Sequence, residues 1–96
     1  MRLQTFKKTP DEIKRYGVDY TKWLDVNERI KSISLSVGGA DTTLTAANGT
    51  ITTDGQKIVF FVSGGTVGNV YNVYIEITTS GAQLREDTMP FVVVAP

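Results

Sequence analysis

Apolar side chains recur at every second position through much of this chain. Ile33, Leu35 and Val37 alternate with Ser32, Ser34 and Ser36, the period-2 signature of a strand with one wet face, and a strand is predicted over residues 30–37. Tyr71, Val73, Ile75 and Ile77 alternate with Asn72, Glu76 and Thr78, predicting a second strand over 70–79. Two further runs are apolar on both faces. Over 56–63, Ile58, Phe60 and Val62 take one face while Val59 and Phe61 take the other, and 91–94 behaves alike. Each sheet of a small sandwich has one dry side, so the surplus set of Val59, Phe61, Val92 and Val94 needs a cover. Either other subunits bury these residues, or Trp23 and the loops cover them within the monomer.

Turn signals separate the runs: Gly38-Gly39, Asn48-Gly49, Asp54-Gly55, Gly64-Gly65 and Ser80-Gly81. Short Val-, Ile- and Thr-rich pieces at this spacing predict an all-β sandwich. The threonine-rich pieces 42–46 and 50–53 are expected as short or edge strands, joined across Asn48-Gly49 as a tight hairpin. Near the start, Thr9-Pro10-Asp11-Glu12 fits a capping box with proline at the first helical position. Gly17 disfavours a continuing helix, so at most one helical turn is expected before a first strand over about 15–20. Residues 21–28 then form a turn whose Trp23 and Leu24 plug one end of the core. Residues 1–9 are expected as an arm outside a sandwich domain over 10–96, because Leu3 and Phe6 have no evident place in a closed sandwich.

Composition narrows the function. Ninety-six residues suit one compact domain. Ten basic and ten acidic side chains cancel, leaving no field to gather nucleic acid or an anionic membrane, and neither is an expected partner. The chain has no cysteine and no histidine. That removes thiolate nucleophiles, cysteine zinc sites and iron–sulfur clusters, together with the commonest general base and metal ligand. No cofactor is expected, and only carboxylates, lysines and hydroxyls remain for catalysis. The first ten residues are mostly polar and lack the apolar core of a secretory signal, and the longest apolar run, 58–62, is far below the ~20 residues of a spanning helix. A soluble protein made in the cytoplasm is expected.

Candidate sites reduce to few. The loop SGGTVGN at 63–69 is glycine-rich, but a phosphate loop opens a helix and carries a lysine; here a strand follows, so a crossing between sheets is expected. Tyr71, three residues after Gly68 at the start of a long strand, matches a tyrosine corner and is read as structural, as is Trp23. Asp11-Glu12, Asp25 with Glu28, and Glu86-Asp87 lack the spacing of a calcium loop and are expected as solvated charge. Asn48-Gly49-Thr50 is a formal glycosylation sequon, read as a turn.

The order DEIKRYGVDYTKWL, then a strand, then IVFFVSGGTVGNVYNVYIEITTSGAQLREDTMPFVV resembles a family of small tailed-bacteriophage proteins described as fiber-tail adaptor or head-tail region proteins. The likeness covers about residues 10–94. It is specific in 63–68, Tyr71, Val73 and 77–79, and loose over 38–54; Tyr20 stands where many relatives have tryptophan. The resemblance implies an immunoglobulin-like (fibronectin type III-like) antiparallel β-sandwich, in several copies around the neck or tail of a virion. The expectation is a non-enzymatic structural protein bridging tail or neck proteins and fibers. Its docking surfaces are expected among Val59, Phe61, Val92 and Val94, with Leu3 and Phe6 on an arm that orders on docking. Rival readings are a head decoration protein and a receptor- or carbohydrate-binding module whose exposed Tyr16, Tyr20 or Tyr74 stacks on sugars.

Overall fold

The computed structural model describes residues 1–96. It contains seven strands and no helix: β1 (Phe6–Lys8), β2 (Ile13–Asp19), β3 (Ile30–Gly39), β4 (Thr45–Ile51), β5 (Lys57–Ser63), β6 (Val70–Thr79) and β7 (Leu84–Val93). A four-stranded sheet runs β1-β7-β6-β3 and faces a three-stranded sheet running β2-β5-β4. Neighbouring strands are antiparallel except β1, which lies parallel to β7.

The period-2 pattern fixes which side of each strand is dry. Ile58, Phe60 and Val62 of β5 are fully buried, as are Tyr71, Val73 and Ile77 of β6 and Phe91 and Val93 of β7. These side chains interdigitate between the sheets, each contributing roughly 1.5–3 kcal/mol on burial. Tyr16 joins them from β2, its ring edge-on to Phe91 at 4.9 Å and to Phe6 at 5.0 Å. At one end Trp23 packs against Tyr20, ring centres 6.2 Å apart, with the Arg85 guanidinium over both rings at 5.3 and 5.5 Å. Trp23 and Leu24 thus act as the expected plugs.

Four features depart from the sequence-based expectation. Thr45–Ile51 is one strand, not two strands around a hairpin. Its pairing moves from Ala47↔Phe61 to Thr50↔Val59, so the Asn48-Gly49 turn signal is spent on a bulge, with Asn48 at φ 58°. Gly49 lies inside that bulge where a Cβ would come within 3.1 Å of Leu35, so β4 folds down onto β3. The last strand begins at Leu84, seven residues before the apolar run, because its charged half pairs in register with β6 through Glu76↔Glu86 and Ile77↔Arg85. Pro90 sits within it. Thr88 and Val94 direct their N–H groups to Met1 and Lys8 carbonyls, so the missing donor of Pro90 falls on that same side, at residues 4–5, which form no ladder pair.

The capping residues make a tight turn and no helix. Glu12 accepts from the Thr9 N–H at 2.8 Å, and β2 starts at the next residue, two before the expected start of the strand. Leu3 and Phe6, expected outside the sandwich, are bound to it. The Leu3 N–H donates to the Thr88 carbonyl at 2.7 Å, Phe6 pairs with Phe91, and both side chains pack against the core. Inward-facing Phe91 and Tyr16 offer an apolar seat that the short β1 fills.

Candidate functional site

The outer face of the three-stranded sheet is built by the odd positions of β2 and β5. In register across it, Arg15 and Ala47 flank Phe61, Gly17 and Thr50 flank Val59, and Ile13 and Thr45 flank Ser63. Nothing in the monomer lies over this row. Phe61 is 40% exposed and Ile13 75% exposed, while Val59 is half-buried by its strand neighbours. Gly17 has no side chain to shade Val59, and a Cβ there would approach the Ile58 carbonyl oxygen at 3.2 Å. The result is a shallow apolar patch centred on Phe61, with Arg15 beside it on the edge strand β2.

The six expected docking residues do not converge. Val59 and Phe61 lie on this face, whereas Val92 and Val94 are half-buried on the β7 side of the other sheet, with Val92 paired to Val70 and Lys7. Leu3 and Phe6 face the core, so they are corrected from docking anchors to packing residues. Trp23 remains at the end of the core and does not cover Phe61. The tyrosines named as sugar platforms also divide: Tyr16 and Tyr20 are buried, and Tyr74 alone is exposed. Sequence reading missed Ile13 because it started the strand at residue 15, and passed over Arg15 because its place beside Phe61 depends on the β2–β5 register. Extending the alternation two residues back would have set Ile13, Arg15 and Gly17 on one face.

Polar clusters elsewhere are structural. The Tyr71 hydroxyl accepts from the Thr66 N–H at 2.9 Å, five residues upstream, and donates to Asp41 at 2.7 Å. Asp41 also accepts from the Thr43 N–H and hydroxyl and from the Thr66 hydroxyl, which together hold its carboxyl far below the usual range. That hub ties the β3–β4 loop to the glycine-rich crossing between sheets. At the other end Glu28 accepts from the Thr79 hydroxyl at 2.6 Å and from the Asp25 N–H at 3.0 Å, and these donors lower its pKa. Asp87 is buried inside the four-stranded sheet, where it accepts from the Tyr20 hydroxyl at 2.6 Å and Arg85 Nε at 3.1 Å. Glu28 and Asp87 are therefore not the solvated charges expected of them. Lys8 is buried as well, its Nζ donating to the Thr9 and Gly64 carbonyls, and burial pushes its pKa down. These carboxylates and this ammonium have their bonding capacity spent on fold contacts, and the three rows around Phe61 hold one charge, Arg15, with Asp19 and Lys57 facing each other in the row beyond.

Residues 8–93 match a family model described as Podophage GP4 fiber-tail adaptor protein gp77. The match takes in both sheets and the whole of the patch. No curated protein matches the chain.

Proposed function

This chain belongs to the podophage GP4 fiber-tail adaptor family, and from that premise we propose that it is a non-enzymatic adaptor bridging tail or neck proteins and fibers, docking through the outer face of the three-stranded sheet. Membership gives it a structural, tail-associated role in a phage. The observation that carries the docking face is Phe61: an aromatic ring held outward from the middle strand of a sheet, beside Ile13 and Val59, with no intramolecular cover. A standard interface takes roughly 800 Å² from each partner, so bridging two proteins would use about a quarter of this chain's 5654 Å² surface. With the core closed by its own strands, such area has to come from the outer sides of the sheets.

The immunoglobulin-like reading of the fold has support of its own. The orders β2-β5-β4 and β7-β6-β3 correspond to the B-E-D and G-F-C orders of that sandwich, with the first strand paired beside G instead of B. Tyr71 stands at the start of the sixth strand, where a tyrosine corner belongs. Synthesis in the host cytoplasm and several copies per virion belong to the same proposal.

The glycan-binding reading keeps one favourable observation. A cavity of about 240 Å³ on the outside of the four-stranded sheet is lined by Ser34, Ser36, Tyr74, Glu76, Glu86 and Thr88, a set of hydroxyls and carboxylates beside an aromatic ring. If that reading holds, the isolated protein binds on a glycan array and Tyr74→Ala abolishes the signal. The adaptor reading instead predicts that Phe61→Asp folds normally and is absent from purified particles. Incorporation of Phe61→Asp at the natural level would refute it.

A further inference from the structure

We propose that the partner protein seated on the outer face of the three-stranded sheet presents a carboxylate to Arg15, within an apolar contact made by Phe61, Ile13 and Val59. This rests on the docking face proposed above and names the chemistry of its occupant. Arg15 is directly opposite Phe61 in the β2–β5 ladder and exposed. The molecule's ion pairs join the N-terminal ammonium to Asp87, Lys57 to Asp54, and Arg85 to Asp87; the Arg15 guanidinium takes part in none of them and donates no hydrogen bond within the molecule. Three carboxylates lie within four residues of it in sequence, Asp11, Glu12 and Asp19; none forms an ion pair with it, and two are engaged elsewhere. Glu12 is held by Thr9, and Asp19 accepts from the Thr21 N–H and hydroxyl and stands opposite Lys57 in the ladder. Lys14, the neighbouring cation, belongs to the other side of β2, with its Nζ 5.9 Å from the Tyr16 ring.

An exposed, unpaired arginine is ordinary on a wet surface. Here it stands directly beside Phe61, while the other two charges of the face, Asp19 and Lys57, lie opposite each other at its end, and covering the Phe61 row would strip water from Arg15 alone. In such a setting an uncompensated guanidinium would oppose docking, whereas a facing carboxylate would turn it into a register-fixing contact. Arginine and aromatic side chains are also the types that dominate binding energy at interface centres. A single cation suits one carboxylate and not a polyanion, and the opposite outer face carries Glu76 directly across from Glu86, which would repel one. The planar guanidinium accepts a carboxylate through two parallel N–H bonds, a geometry lysine cannot copy.

The test uses a phage deleted for this gene and supplied with variants in the host, with incorporation measured by quantitative mass spectrometry of purified particles. Arg15→Glu is expected to fold, melting within a few degrees of the natural protein, and to lower incorporation at least about tenfold. Arg15→Lys should retain part of the incorporation that Arg15→Gln loses. Selection for growth of the Arg15→Glu phage should yield suppressors that replace an aspartate or glutamate of another virion protein. Natural incorporation of Arg15→Glu alongside failure of Phe61→Asp would overturn the carboxylate and leave the docking face standing. Natural incorporation of both would overturn the face itself. Suppressors that never alter a charge in another virion protein would also count against the proposal.

Discussion

On the outside of the three-stranded sheet Phe61 lies between Arg15 and Ala47, whereas at the corresponding place on the four-stranded sheet Tyr74 lies between Ser36 and Thr88. Both rings project from a middle strand, and their exposures are close, 40% and 44%. Their neighbourhoods are not alike. The row around Tyr74 offers hydroxyls and carboxylates that water satisfies, and its ring lies against Gly38, where a Cβ would come within 2.9 Å. The rows around Phe61 hold Ile13, Val59 and Ala47, a bare glycine and one unpaired cation, with hydroxyls only at Ser63, Thr45 and Thr50 and no carboxylate. Equal exposure thus carries different costs in water, and the apolar face gains more from a cover.

The sharpest way to break this contrast is to change adjacent residues of β5. Phe60→Ala removes a fully buried ring and is expected to cost about 3–5 kcal/mol, while Phe61→Ala should cost less than about 1 kcal/mol and still impair particle incorporation. Equal losses in denaturant unfolding would mean that Phe61 is a core residue. Next in size is a carboxylate pair on β7. Asp87→Ala strands the buried Tyr20 hydroxyl and Arg85, with an expected loss of about 3 kcal/mol. Glu86→Ala, which removes one of two like charges facing across the ladder, should change stability by less than about 0.5 kcal/mol.

Acid should act on the two ends of the sandwich before its faces. Asp41 and Glu28 have folded pKa values below their unfolded ones, so their contribution is complete above about pH 4 and declines as pH falls through the folded values. Urea midpoints should therefore fall below about pH 4, and Asp41→Asn should flatten that limb at the cost of a lower midpoint at neutral pH. A midpoint independent of pH down to 2 would contradict this. The smallest pair compares two hydroxyls of β6. Tyr71→Phe is expected to lower Tm by about 5 °C through loss of the Thr66 and Asp41 bonds, and Tyr74→Phe to leave it unchanged.

Much of this architecture was legible because alternation is a local signal. The alternation gives the span of β6 as it stands and those of β3 and β5 to within two residues at an end, and the place of Tyr71 after Gly68 points to its hydroxyl bond. What escaped depends on partners distant in sequence. The charged half of β7 is a strand because Asp87 meets Tyr20, a contact across 67 residues. Lys8, a residue that composition assigns to water, is buried because the Gly64 carbonyl reaches its ammonium across 56 residues. Asn48-Gly49 has the chemistry of a hairpin and of a bulge alike, and only the pairing with β5 decides between them. Of the docking face, Val59 and Phe61 were visible from their outward parity; Leu3 and Phe6 were misplaced because parallel addition of a three-residue strand leaves little trace in periodicity.

On the function proposed here, the outer face of the three-stranded sheet, and not that of the four-stranded sheet, carries the main contact in the particle. A map of the assembled virion at side-chain resolution tests it most directly. Phe61, Ile13 and Val59 are expected to be buried against another virion protein, with a carboxylate of that protein at Arg15 and Tyr74 open to solvent. Phe61 in solvent with Tyr74 covered would contradict it.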